Sequence, residues 1–579
     1  MADENSTSDK DALSLVLRCF KRSEKQQSKR FERYKDRYRA YRGILEIKDN
    51  EWESQLSPPY AFQIIETIFS MISAEHPRAQ VIPAGMADVD GARAIDKLLQ
   101  IQRGNDNFNE KYAMWVKQGL IMGASPAKVS WAYEEGEREV RRFVPLPDGR
   151  FQEMKQTEPV VPMNQPTFTP LDISDFFYDP AVSHIKDASY AIGRFWVSYE
   201  SLQAEGGPDG IYSNVDQLKQ PSMQARAGDM QDAFIDRDRT GLIEMLEFWT
   251  RDRLIVVANR RVVIRNEKNP YTHGKLPFVI ATPVPDLYSM EGLSEVDLIM
   301  DVQAAIWSFL NQRLDNTRLI SNGIVMVRDT IDDVEKLVFQ PRAIWPVADP
   351  AEVQMWSPNF NITQSSLEAE RSLKEDLMSI SAAIPVLAGA SPDLVDQKTA
   401  TGMTILSNNA MNRVLAKRQQ FFDALREVGR QEIDLNQQLF RGPIEIPVMD
   451  GRSGQWSFNT ISAQQIVCNC DYDIEETTES LNRQERRQEA MLLFTTFVQA
   501  APALQMWGVA LDPLPMLQDL GDAFDIKNIE SWVKPAPPQL PPGAGPPPPG
   551  MAPPGLAPGG PPAPNGIAPP PMTPAAPGA

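Results

Sequence analysis

An α+β fold in which helix predominates is what this sequence predicts, and three observations predict it. Two long stretches with apolar residues at three- and four-residue steps flank a compact β-rich segment between Gly292 and Phe440. A polar Gly/Pro/Asp stretch then leads into a third long helical pattern. Before them, between Trp131 and Thr282, come short β-branched and aromatic runs separated by polar segments.

From about Ala12 to Arg42, Leu13, Leu17, Phe20, Phe31, Tyr34, Tyr38 and Tyr41 fall at helical steps. The half from Lys21 to Arg42 is dense in Lys and Arg, with Glu24, Glu32 and Asp36 between them. Two readings stand side by side: an arm touching DNA phosphates or an acidic partner, and a solvated helix face laced with salt bridges. Ser57-Pro58-Pro59 breaks the chain. Ile64, Ile65, Ile68, Phe69 and Ile72 mark a second helix, stopped near His76-Pro77 because the residue before a proline is pushed out of helical geometry. Helices over 88–102 and 109–121 follow, and Gly123-Ala124-Ser125-Pro126 hands over to a strand at 127–133.

Further strands are predicted at 142–144, 191–197, 243–249, 254–257 and 262–264. The last two read as a hairpin turned by Ala258-Asn259-Arg260. Residues 203–238 are polar and read as a loop with a short helix. Phe278-Val279-Ile280-Ala281 is a last buried strand before Pro283-Val284-Pro285.

Val296, Ile299, Ile306, Phe309, Leu310 and Leu314 give a helix over 292–321, about 45 Å long at 1.5 Å per residue. Asn322-Gly323 ends it, since both residues tolerate a left-handed cap. Strands at 324–327, 344–347 and 353–356 and a short helix at 329–337 make a small unit. A helix restarts near 363, runs to 383 and stops at Pro385. Gly389, Ser391, Pro392, Asp393, Asp396 and Lys398 form a polar loop. Thr399 or Thr401 caps the next helix, which reaches Phe440, with a bend expected at Asn408, Asn409 and Asn412. Strands at 444–446, 465–468 and 472–474 and a helix at 480–507 complete the pattern. From Pro535 the chain is roughly half proline and uncharged, which predicts a disordered polyproline-II tail.

The chain has 579 residues, enough for several domains, and a formal net charge of -19. So acidic a surface repels DNA overall, yet suits a surface along which DNA must slide without sticking. Cys19, Cys468 and Cys470, with the dispersed His76, His184 and His273, lack zinc-ligand spacing. The cysteines read as buried, reduced thiols. No apolar run approaches the ~20 residues of a membrane span, and the polar stretch from Met1 to Asp11 lacks a leader pattern.

No phosphate-cradling or dinucleotide glycine motif, zinc-protease motif or nucleophile elbow occurs. His273-Gly274-Lys275 reads as a turn. Asp172, Asp175 and Asp179 surround Phe176-Phe177-Tyr178. Clustered carboxylates of this kind can hold Mg²⁺ in a nuclease; the plainer reading is a turn before a strand whose aromatics pack inward.

Three stretches, in this order and spacing, resemble the portal proteins of tailed double-stranded DNA bacteriophages, most closely the large-subunit type of short-tailed phages. They are Asp172-Ile173-Ser174-Asp175-Phe176-Phe177-Tyr178-Asp179-Pro180; Gly292-Leu293-Ser294-Glu295 with Asp301-Val302-Gln303 and Asn311; and Thr399-Ala400-Thr401-Gly402-Met403-Thr404-Ile405-Leu406. The resemblance runs from about residue 12 to residue 500, and the Pro-rich tail departs from it. It implies a portal-like wing, two-helix stem, α/β clip and helical crown. On this chain these become an N-terminal arm and α/β wing (1–287), first stem helix (288–322), clip (323–360), second stem helix (361–384), tunnel loop (385–400), long wing helix with return strands (401–475), crown (476–534) and tail (535–579).

The same resemblance implies a non-enzymatic ring, usually of twelve copies, at one capsid vertex of the virion, assembled in the host cytoplasm. Double-stranded DNA would pass through it in packaging and ejection. Its partners would be the terminase large subunit, a head-tail adaptor and the major capsid protein, with no cofactor, metal or membrane. Asp396, Gln397 and Lys398 are then expected to face DNA. Arg328, Asp329, Asp332 and Asp333 are expected to meet clip neighbours or the terminase, with Trp345 or Trp356 as an interface anchor. The alternative in the enzyme class is a metal-dependent phage nuclease, or other DNA-processing enzyme, using Asp172, Asp175 and Asp179. A third possibility is a scaffold or virion component that is not a portal.

Overall fold

The computed structural model describes residues 2–45, 53–73, 77–145, 151–206, 210–218, 241–322, 324–327, 353–356, 361–381, 400–449, 456–475, 490–496, 499 and 521. Two units divide the chain: Met1–Val448 with Ser457–Thr478, and Met449–Trp456 with Glu479–Ala579. In the second, residues 490–496 are helical, inside the helix expected at 480–507. The remaining architecture belongs to the first unit.

The N-terminal helix α1 (Ala2–Arg42) starts ten residues before the expected boundary. Its apolar stripe is buried in two places. Ala12, Val16 and Phe20 pack on a five-stranded sheet, and Tyr34 packs against Ala124 and Ile173. That sheet is an antiparallel meander of β4 (Phe176–Tyr178), β5 (Ala191–Ser198), β6 (Leu242–Trp249), β7 (Arg253–Ala258) and β8 (Val262–Lys268). Alternation explains why its strands read as nearly continuous apolar runs. Leu246, Phe248, Ile255 and Val257 face α1, while Ile243, Met245, Leu254 and Val256 face the main core. Both faces are covered, so both sets of side chains must be apolar. The β7–β8 turn falls where predicted: Asn259 and Arg260 adopt φ of +49° and +56°, the left-handed pair of a type I′ hairpin.

A second sheet has the order β3-β2-β9, formed by β2 (Ser125–Pro145), β3 (Phe151–Pro170) and β9 (Phe278–Ala281). The strands expected at 127–133 and 142–144 are both parts of β2. The sequence did not predict β3. Pro159, Pro162, Pro166 and Pro170 argue against a strand, but β3 lies at the sheet edge, where a missing N–H costs nothing.

Helices α2 (Tyr60–Ser73), α3 (Val89–Asn105) and α4 (Phe108–Met122) build the main core with α8 (Ala400–Leu439). Trp115 of α4 sits at its centre, edge-on to Phe168 at 5.4 Å and to Phe421 of α8 at 5.7 Å. Its Nε1 donates to the Ser125 carbonyl at 2.8 Å, so the indole is buried with its polar atom satisfied. The strand β1 (Arg78–Pro83) pairs with β14 (Cys470–Glu475) across most of the chain's length. A short helix, α5 (Tyr199–Glu205), fills part of the expected 203–238 loop and is capped by Ser198; residues 219–240 lie outside the described set.

Two expectations need correction. Residues 465–468 form a turn rather than a strand, while β12 (Ile444–Met449) pairs with the unpredicted β13 (Trp456–Ile461). Cys19, Cys468 and Cys470 are free but only half-buried. The helix at 329–337, the strand at 344–347, most of the 385–400 loop and the Pro-rich tail lie outside the described residues.

Candidate functional site

The paired rods expected of a stem are α6 (Glu295–Asn322) and α7 (Asn361–Ser381), which pack together. At 1.5 Å per residue they are about 42 Å and 32 Å long. Beyond their shared end, β10 (Ile324–Val327) and β11 (Val353–Trp356) form an antiparallel pair with Ile324 opposite Trp356. Both strands match their expected bounds.

The start of α6 is fixed by buried polar groups. Ser294 Oγ accepts from the Val296 N–H at 3.0 Å and donates to the Ile121 carbonyl at 2.5 Å. Asp297 receives both prongs of the Arg37 guanidinium, Nε at 2.8 Å and Nη2 at 2.6 Å. Glu295 lies 2.6 Å from Lys417 Nζ of α8, with both side chains buried. Two carboxylates in the first turn also suit the positive end of the helix dipole. Just upstream, the loop from Val284 to Leu293 is closed by a 3.0 Å bond from the Leu293 N–H to the Val284 carbonyl. Gly292 permits that closure, because a Cβ there would stand 2.0 Å from the Val284 oxygen.

Further along, one face of α6 holds an extended strap, residues 54–59, and the first turn of α2 through side chains four residues apart. Gln303 accepts from the Ala61 N–H at 2.7 Å and donates to the Ala40 carbonyl at 2.9 Å. Trp307 Nε1 donates to the Pro58 carbonyl at 2.9 Å. Asn311 closes a reciprocal pair with the Leu56 backbone, at 2.8 and 3.0 Å. Asp315 accepts from the Ser54 N–H at 2.7 Å. The sequence drew attention to Gln303 and Asn311 without revealing this role. The signal was only the four-residue spacing of Gln303, Trp307, Asn311 and Asp315 on a helix that carries other polar residues as well.

The two rods are tied by Glu370, which pairs with Arg313 across the rods and with Lys374 at 2.7 Å along its own helix. Burial works against the Glu370 charge, but hydrogen bonds from Lys374 and Arg313 outweigh it and hold the carboxyl below its ordinary range. At the other end of α7, Arg413 of α8 donates to the Ser379 and Ile380 carbonyls at 3.0 and 2.6 Å. A cation on the last carbonyls of a helix is a favourable cap. It also brings together the two helices that the polar loop joins.

The residues expected to face DNA, Asp396, Gln397 and Lys398, lie outside the described residues, as do Arg328, Asp329, Asp332, Asp333 and Trp345. Trp356 ends β11. The candidate nuclease carboxylates are described, and each is engaged in folding. Asp172 caps a helical turn, accepting from Ser174 N at 3.0 Å. Asp175 is buried against Arg194 Nε at 2.8 Å. Asp179 accepts from Ala181 N at 3.1 Å. Phe176, Phe177 and Tyr178 are all buried, as the plainer reading held. Among the described residues no cluster of three or more His, Cys, Asp or Glu side chains is placed to hold a metal ion, and no helix is long and apolar enough to cross a membrane.

On α1 the two readings of the basic residues divide by face. Arg30 pairs with Glu291 at 2.8 Å and Arg37 with Asp297, which is a salt-bridged, core-facing role. The opposite face leaves Arg18, Lys21, Lys25 and Lys29 exposed.

Residues 160–549 match the family model described as Phage SU10 portal protein. The match begins later than residue 12 and extends past Pro535, into the tail that the sequence resemblance left out. It covers the five-stranded sheet, both rods, the β10–β11 pair and α8. With more than half of its length matched, this chain belongs to the phage portal protein family, a structural component of the bacteriophage capsid.

Proposed function

We propose that copies of this chain close into a ring, of twelve subunits, at one vertex of the capsid, and that double-stranded DNA is packaged and ejected through its central hole. The observation that carries this reading is the family match joined to a rod pair whose base is locked into the subunit by buried polar ties. Rods lining a channel must hold their register while a charged polymer moves past, and the α6 contacts supply that constraint.

In this reading α6 and α7 are the stem, and 323–360 is the clip that docks the terminase large subunit and later the head-tail adaptor. Residues 1–287, with α8, form the wing against the major capsid protein, and 476–534 the crown. The loop at 385–400 is the DNA-facing tunnel loop, with Asp396, Gln397 and Lys398 at its tip; Arg328, Asp329, Asp332 and Asp333 serve docking. A single basic residue in a net-acidic subunit keeps contact with DNA weak, since each phosphate contact adds affinity and salt dependence. The ATP-driven motor is then a separate chain.

Negative-stain microscopy of the purified protein tests the ring: particles with a central opening support it, and particles that remain single or close without a hole refute it. Shortening the 385–400 loop is expected to impair DNA packaging or retention while rings still form. Loss of rings in that variant would make the loop a packing element instead.

A further inference from the structure

We propose that the exposed basic stripe of α1 in one copy docks on the acidic root of the β2–β3 ribbon of the next copy, forming a head-to-tail joint of the ring. This rests on the ring reading above and adds which surfaces meet.

The first surface is the solvent face of α1. Arg18, Lys21, Lys25, Lys29 and Arg33 recur at three- and four-residue steps and are all exposed. None of them enters an ion pair among the described residues. The stripe spans about 22 Å at 1.5 Å per residue. In a chain of net charge -19, so dense a run of cations marks a surface matched to an anionic partner.

The second surface is the ribbon. The strands β2 and β3 pair from Ala127↔Pro170 out to Pro145↔Phe151, while β9 accompanies them only from Ser125 to Lys128. From Tyr133 to Glu139 no residue is buried, and the same holds opposite, from Thr157 to Asn164. The two faces of the ribbon are therefore open at once. A two-stranded ribbon uncovered on both faces is marginal in water and gains stability from a partner. Its root carries Glu134, Glu135, Glu137 and Glu139 within six residues, with Arg138 among them, a run of about 17 Å at 3.3 Å per residue. Glu139 lies 3.5 Å from Lys155 and Glu135 accepts from the Tyr133 hydroxyl, so Glu134 and Glu137 are the carboxylates most open to a partner. Tyr133 and Val161 beside them are 57% and 48% exposed, which offers apolar surface to the Lys and Arg stems.

The two surfaces match in sign and in length, yet both stay exposed within one chain, so they do not meet there. The ribbon starts beside α1, where Ala124 packs on Tyr34, and β2 then runs about 60 Å to its tip. A contact between unlike patches of identical subunits is heterologous, the kind that closes rings. One exposed ion pair contributes little. Several of them, with the apolar contact between, give orientation and partner choice.

The test uses the full chain at about 0.15 M salt, where the Debye length is ~8 Å. One variant carries Lys21→Glu, Lys25→Glu and Lys29→Glu; a second carries Glu134→Lys, Glu135→Lys and Glu137→Lys; a third carries both sets. All six positions are exposed, and circular dichroism confirms folding. Each single set is expected to lower the ring fraction at least about tenfold in mass photometry, and the combined chain to regain rings. Wild-type rings indifferent to both reversals sink the joint alone. So does a combined chain that stays apart, or a stripe reversal that spares rings but weakens binding of a duplex DNA fragment, which would turn the stripe toward DNA. A wild-type chain that never forms rings removes the ring reading and the joint together.

Discussion

Replacing Arg37 with methionine probes the anchor of the first rod. Methionine keeps the volume of the stem but removes the fork that grips Asp297 at 2.8 and 2.6 Å. The Arg37 side chain is 4% exposed and that of Asp297 13%, so the remaining carboxylate has little water to turn to. Breaking a buried pair from one side costs about 3–5 kcal/mol. The N-terminal end of α6 still favours a carboxylate by roughly 0.3–1 kcal/mol, so a net loss near 3 kcal/mol is expected. Hydrogen exchange is the assay that fits a chain of several units, because it reads the opening of the first turn of α6 directly rather than a single global transition. Asp297→Asn and the double variant complete a cycle. The double change should cost about 2 kcal/mol less than the sum of the singles. A loss below about 1 kcal/mol, or strict additivity, would refute the argument that this pair fixes the rod.

Three further outcomes follow from neighbouring geometry. Asn311→Ala removes both bonds to the Leu56 backbone and should cost about 1–2 kcal/mol, with faster exchange at the Leu56 amide; unchanged protection there would show that the strap is held by something else. Gly292→Ala pushes a methyl group to 2.0 Å from the Val284 oxygen and should lower local stability by at least about 2 kcal/mol, read as faster hydrogen exchange at the Leu293 amide; unchanged exchange there would mean the loop relaxes freely. His273 is pushed down to about 4 by burial and then by Lys275, against an opposing pull from Glu427. Its folded value lies below its ordinary one, so the unfolded chain takes up the proton first. Stability should therefore fall as pH drops from about 6.5 towards 4, and His273→Gln should flatten that slope; equal slopes would assign the loss to other groups.

What could be read from the sequence follows from how local each signal is. The β7–β8 hairpin was legible because Asn259 and Arg260 sit between two apolar runs, and such a turn is a two-residue decision. The rods were legible because 3.6-residue periodicity survives over many turns. The ribbon strand β3 was not, because its prolines argue against a strand unless it is known to lie at an edge, and edge position is a property of the whole sheet. For the same reason the first-turn carboxylates of α6 could be seen, but not their partners. Arg37 and Lys417 lie far away in sequence on other helices, and nothing local marks them. At the Asp172–Asp179 cluster two readings stood open and the plainer one holds. Carboxylate spacing admits a metal site as well as a turn, and the fold spends its members on a cap, a buried pair with Arg194 and a turn, in line with the plainer reading.

The contacts along α6 also determine which motions the base of the rod allows. Packed helices commonly adapt by sliding one turn past a neighbour, about 5.4 Å. On α6 the strap ligands are Gln303, Trp307, Asn311 and Asp315, and a slide of four residues would present each strap group to the wrong one. The Ala61 N–H, which needs an acceptor, would meet either Ile299 or the donor-only indole of Trp307. The Ser54 N–H would lose the Asp315 carboxylate, and the reciprocal pair at Leu56 would break. The Ala61 N–H is buried, and leaving it unpaired costs about 1–3 kcal/mol. The part-buried and exposed bonds at Ser54, Pro58 and Leu56 add less each, and the slide would also bring Glu295 or Gln303 to the buried place of Ile299. The base of the rod is therefore held in one register by its polar ligands, and under the proposed channel function any adjustment to DNA would come from segments that these ligands do not touch.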